Sequence, residues 1–163
     1  MKDIKIIAEI GWNHMGNLNL AKRMIKAAAK CGADICKFQT WKVENLKSGP
    51  WDKDGRREIY NKAQLKQSDY KLLIEECKKN NVEFLTSVFN INDIDFLRKL
   101  KIKKIKIPSH EIYNLKLIEK AIRYFNTIYL SLGAAREYEL KNIFKLIRKN
   151  KNKNIFLMHC VSS

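Results

Sequence analysis

Short runs rich in isoleucine, valine and phenylalanine alternate along this chain with longer segments whose apolar residues recur every three to four positions. A short β-branched run reads as a strand and a 3.6-residue period as a helix. Strands are predicted at residues 4–11, 33–39, 83–89, 103–109, 127–133 and 155–162. Five helices lie between them. Leu20, Met24, Ala27, Ala28 and Cys31 form one apolar stripe, which Gly32 terminates. Ser68 or Asp69 can cap a second helix carrying Leu72, Leu73 and Cys77, and Asn92 or Asp93 precedes Phe96, Leu97 and Leu100. Asn114 precedes Leu117, Ile118, Ala121, Ile122 and Phe125, while Leu140, Ile143, Phe144 and Ile147 mark the fifth helix.

Strands separated this regularly by helices predict a parallel α/β sheet, either doubly wound or a (β/α)8 TIM barrel. No GxGxxG or GxxxxGK[ST] loop follows the first strand, so the nucleotide-binding marks of an open sheet are missing. The polar residues gather near the C-terminal ends of the strands, at Glu9, Lys37, Gln39, Ser87, Lys106, Ser109, Ser131 and His159. Barrel enzymes build their sites on that rim, so the barrel is the expected fold. It is expected to be incomplete: a barrel has eight strands in about 250 residues, and 163 residues supply six. Residues 41–67 break the rhythm with a long connection holding Gly49, Pro50, Gly55, two tryptophans and the pair Arg56 and Arg57. Structureless connections of that length are usually lids or binding elements; a tolerated surface insertion is the alternative.

The net charge of +16 raises the question of a nucleic-acid partner. The lysines are spread over every segment instead of forming a patch, so no nucleic acid is expected, although a positive field favours anionic small substrates. No apolar run approaches the roughly 18 residues that span a bilayer, and the N-terminus lacks the features of a secretory signal. No membrane partner and a cytoplasmic location are the expectations. The four cysteines show no CxxC spacing and are read as reduced core thiols.

Glu9 sits in the apolar context IIAEIG, where a buried carboxylate needs a partner or a function; an ion pair with a lysine of a neighbouring strand would satisfy it. Lys37 and Gln39 share a strand face, and Lys106 offers a second inward ammonium. Two such groups call for an anion, whose oxygens Ser87, Ser109 and Ser131 can also hydrogen-bond. His159 ends the run IFLMHC and is either a metal ligand or a structural residue. His14 and His110 fall in rim loops, without local metal-ligand spacing.

The segments AEIGWNHMGNLNLAKRMIKAAAKCGADICKFQ, RREIYNKAQL, EFLTSVFN, IKIPSHEIYN, YLSLGAA and LMHCVSS occur in the order found in sialic acid synthases and their legionaminic and pseudaminic acid relatives. The chain resembles that family over essentially its whole length. The resemblance implies a cytoplasmic barrel transferase of carbohydrate biosynthesis, serving cell-surface polysaccharide. It would join phosphoenolpyruvate to an N-acyl amino-sugar aldehyde and release phosphate, using a divalent metal, manganese or magnesium. It implies further that Lys37, Lys106 and Ser109 hold phosphoenolpyruvate, with Ser87 and Ser131 as looser matches, and that Glu9 and Glu111 are active-site acids. His159 matches a metal ligand. Met15 departs from the family's usual Asn. The last two strands, a second metal-ligating histidine and the C-terminal antifreeze-like domain of these homodimers are expected to be missing, so the chain alone is not expected to be active. A related phosphoenolpyruvate-dependent aldose condensing enzyme and a non-catalytic basic binding domain are the alternatives.

Overall fold

The structure, a computed structural model, describes residues 4–133 and 135–160. Its six strands are β1 (Ile7–Gly11), β2 (Ile35–Thr40), β3 (Glu83–Val88), β4 (Lys104–Ile107), β5 (Thr127–Ser131) and β6 (Asn154–Met158). The helices are α1 (Leu18–Lys30), α2 (Arg56–Ala63), α3 (Gln67–Lys79), α4 (Asp93–Lys99), α5 (Leu115–Tyr124) and α6 (Glu137–Lys149). All six predicted strands are present, each shorter than or shifted from its expected run, and positions 161 and 162 of the last lie outside the described residues. The first strand starts at Ile7 because the Ile6 N–H donates to Asp34 Oδ2 at 2.8 Å instead of joining the ladder. That bond and Lys5 hold the Asp34 carboxyl below the usual carboxylate range.

The sheet order is β1-β2-β3-β4-β5-β6, and β1 with β2, β3 with β4, β4 with β5 and β5 with β6 pair in parallel. Spatial order follows chain order without a reversal. That is barrel connectivity; a doubly wound sheet has a switch point where the order turns back. The chain divides into two compact units, Met1–Thr86 and Ser87–Ser163.

In the first unit Ala21, Ile25, Ile35, Phe38, Leu73 and Leu85 are buried. The buried stripe of α1 is Ala21 and Ile25, while Cys31 is exposed, so the helix faces the sheet about one residue away from the expected stripe. On α3 the buried residues are Tyr70, Leu73, Glu76 and Cys77, and Leu72 is exposed. Asp69 works from inside the first turn, accepting from Lys66 N–H at 2.8 Å. Cys36 and Cys77 are buried free thiols; their shared hydrogen bond and burial push the Cys77 thiol up. In the second unit Ile94, Leu97, Ile105, Ile107, Leu117, Ile128, Leu130 and Ile143 are buried, whereas Phe144 on α6 and Phe156 and Leu157 on β6 are exposed. Among the described residues no helix is long and apolar enough to cross a membrane.

Two glycines separate conformational cost from crowding. Gly32, at φ +86°, ends α1: its own N–H donates to Ala29 O and that of Ala33 to Ala28 O, both at 3.0 Å, and a Cβ there would meet nothing. Gly16, at φ +75°, lies against the Lys62 carbonyl of α2, where a Cβ would collide with the oxygen. Gly32→Ala is therefore expected to cost about 1 kcal/mol, the left-handed penalty alone. Gly16→Ala is expected to cost about 2 kcal/mol or more, because backbone must move as well. Urea denaturation of the two variants checks the difference.

Candidate functional site

In the first unit the polar residues follow from the register of β1 on β2, which sets Glu9 opposite Lys37. The two side chains form an ion pair, in which Lys37 is buried as expected, at 4% exposed, whereas the Glu9 side chain, expected to be buried, is 50% exposed. β2 is covered along most of its length, and β1 carries the more exposed partner. Gln39, two residues beyond Lys37 and half-buried, comes to the same place. A Cβ on Gly11 would lie 3.3 Å from Glu9 Oε1 and 3.9 Å from both Gln39 Nε2 and Asn13 Nδ2. Asn13 is thus a neighbour of the group that its sequence context did not single out.

The turn after β1 is tightly made. His14 lies in this turn, as expected, but is 1% exposed, its ring 6.0 Å from that of Phe38 and its Nδ1 accepting the Gly16 N–H at 3.1 Å. Burial lowers its pKa, with Asp69 pulling weakly the other way. Met15 takes φ +48°, in the left-handed region, which asparagine tolerates and a long apolar side chain does not favour.

The connection at 41–67 is folded, not structureless. It contains α2, and Tyr60 of α2 has Trp12, Trp41 and Trp51 around it at 6.0, 5.9 and 5.5 Å between ring centroids. Trp51 Nε1 donates to Lys47 O at 2.8 Å, and Gln64 Oε1 accepts from Val43 N–H at 2.7 Å. Arg56 pairs with Asp54, and Arg57 with Asp52 while lying over the Trp51 ring.

In the second unit Ser87 is in register with Lys106, Lys106 with Tyr129, and Tyr129 with Phe156. Ser87 is buried, Lys106 half-buried, and Tyr129 and Phe156 stack at 5.2 Å. β4 ends in Pro108 and a 3-10 turn, Ser109–Glu111, which leaves Ser109 half-buried and Glu111 buried. Asn114 Nδ2 donates to Glu111 Oε2 at 2.9 Å. His110 is exposed and stacks on Phe89 at 5.4 Å. Ser131 is buried and accepts from Cys160 Sγ at 3.3 Å. His159, just past β6, is exposed. Among the described residues no three His, Cys, Asp or Glu side chains gather into a metal site, so of the expected metal site this chain offers His159.

These residues now meet a comparison with known proteins. The NeuB family pattern matches residues 24–163. The chain belongs to the NeuB family. It is 38% identical to N,N'-diacetyllegionaminic acid synthase of Campylobacter jejuni, over 99% of this chain and 52% of that protein. Identity to pseudaminic acid synthase of Helicobacter pylori is 36%, over 98% of this chain and 50% of that protein. A crystal structure of N-acetylneuraminic acid (sialic acid) synthetase from Leptospira borgpetersenii, in complex with citrate, superposes with a TM-score of 0.86 at 33% identity, covering 99% of this chain and 55% of that one. This NeuB-family chain spans about half the length of the curated relatives it matches. Its relatives are sialic-acid-type synthases.

Two expectations follow from the β1 turn of this NeuB-family chain. The folded His14 imidazole resists protonation. Above about pH 6.5 it is neutral both folded and unfolded; below that the unfolded chain takes up a proton that the folded chain refuses, so stability falls with pH until the folded ring protonates too. Stability measured by urea at about pH 5 and about pH 7.5 should differ less in His14→Gln than in the wild type. Met15→Asn should raise stability by about 1 kcal/mol by relieving the left-handed strain, which thermal or urea unfolding would register.

Proposed function

We propose that a protein carrying this chain condenses phosphoenolpyruvate with an N-acyl amino-sugar aldehyde to give a nine-carbon keto acid and inorganic phosphate. The observation that carries the reading is Lys37, a buried ammonium midway along β2 paired with a half-exposed carboxylate, in a chain of the NeuB family. A cation taken out of water is stabilised by anionic oxygens. Lys37 and Lys106 are assigned to the phosphate and carboxylate of phosphoenolpyruvate, with Ser87, Ser109 and Ser131 donating hydrogen bonds to the charged oxygens and Gln39 to the substrate beside Lys37.

In the reaction, carbon three of the enol bonds to the aldehyde carbon, and the aldehyde oxygen takes a proton. The oxocarbenium-like centre left at carbon two adds water, and the bond from carbon two to the phosphate oxygen then breaks. Glu9 is assigned to the centre at carbon two, where a carboxylate stabilises the positive charge and accepts the proton of the attacking water. Glu111 is assigned to the same reaction, moving or directing a proton. A divalent ion, manganese or magnesium with His159 as one ligand, would supply Lewis acidity toward the aldehyde.

Phosphate release from phosphoenolpyruvate, measured against a panel of N-acyl amino-sugar aldehydes and five-carbon sugars, tests the reading; release that depends on a six-carbon amino sugar is expected. Lys37→Ala and Lys106→Ala should each weaken phosphoenolpyruvate binding by about 2 kcal/mol, roughly thirtyfold, with a much smaller effect on the sugar. Calorimetry with phosphoenolpyruvate checks the binding half. A selective effect on the sugar would reverse the assignment.

A further inference from the structure

We propose that Asn114 is a positioning residue that aims the Glu111 carboxyl by tying it to the first turn of α5. This rests on the reading that Glu111 belongs to the reaction. Asn114 is the N-cap of α5, and the two ends of its amide do different things. Oδ1 accepts the Leu117 N–H at 3.2 Å, capping the helix, while Nδ2 donates to Glu111 Oε2 at 2.9 Å. The backbone makes the same connection, from Asn114 N–H to Glu111 O at 2.9 Å and from Ile118 N–H to Asn114 O at 3.1 Å. The helix that receives these bonds is anchored by Leu117, Ile118, Ala121 and Ile122, all buried.

Capping alone does not require asparagine, since aspartate and serine cap about as well. Accepting from the helix and donating to a carboxylate at once does require a group with both functions on separate atoms, and the planar amide has them. Glu111 is 4% exposed, so its direction is set by protein groups. A carboxylate one ångström out of place loses much of its effect on a reacting centre. The link therefore transmits the rigidity of a packed helix to a carboxylate carried on a short 3-10 turn.

The test is Asn114→Ser, which keeps a capping oxygen but cannot reach both partners, beside Asn114→Ala, which loses both bonds. Asn114→Ser is expected to keep its Tm within about 2 degrees of the wild type, and Asn114→Ala to unfold earlier. In the wild-type chain the Asn114 side-chain amide protons should show the slowed exchange and shifted resonance of a donor to a carboxylate, and both should be lost in Glu111→Ala. Where phosphate release is measurable, Asn114→Ser should lower kcat roughly tenfold with little change in the KM for phosphoenolpyruvate. Amide resonances that ignore Glu111, or an unchanged kcat in Asn114→Ser, would overturn the proposal. A full-length protein carrying this chain that releases no phosphate would instead sink the proposed reaction, and the amide resonances alone would then decide whether Asn114 holds Glu111.

Discussion

Parallel strands cannot be joined by a tight turn, so each must be followed by a crossover that returns the chain to where the next begins. This constraint organises everything in the molecule. Because each strand is left at its C-terminal end and re-entered at its N-terminal end, the strand tops carry the connections and the strand bodies carry the apolar residues. Ser87, Lys106 and Ser131 lie toward the tops of their strands and Lys37 midway along β2, each beside buried residues such as Phe38, Val88, Ile107 and Leu130. The backbone hydrogen bonds of such a sheet are satisfied internally, leaving side chains at the tops to vary without breaking the ladder.

The Glu9–Lys37 pair shows how a charge is kept in that setting. A fully buried ion pair seldom adds stability, because two charges lose their hydration. Here one partner stays half in water, so the desolvation cost falls mainly on the ammonium. The arrangement keeps a cation inside the protein beside a carboxylate whose second face is available. Such a pair is less a stabiliser of the fold than a group the fold tolerates because something else uses it.

The strand positions, the barrel-like order and the cap at Asn114 were legible in the sequence, because each depends on local period or on a residue whose side chain acts within one turn. The faces were less so. Leu72, Phe144 and Cys31 fit a helical stripe in sequence but sit at its edge, since a period of 3.6 leaves the stripe's centre uncertain by a residue. α2 was missed because RREIYNKA buries little beyond Ala63 and is held from outside by the tryptophans. His14 is the loop residue it looked like, but its burial against Phe38 was not legible, because that contact joins the turn after β1 to β2. The charges at the strand tops could be named, but which member of a pair is buried depends on what packs around each strand, and that is a property of the fold.

The aromatic packing around Tyr60 also has an optical meaning. The chain has three tryptophans, Trp12, Trp41 and Trp51, and all three surround that one tyrosine in the first unit. Intrinsic tryptophan fluorescence therefore comes entirely from the segments after β1 and β2, while far-ultraviolet circular dichroism averages over every helix and strand. The two signals follow different parts of the chain. Their denaturation curves coincide only if both units melt together, so the protein carries its own built-in reporter of whether the two halves of this sequence behave as one cooperative body.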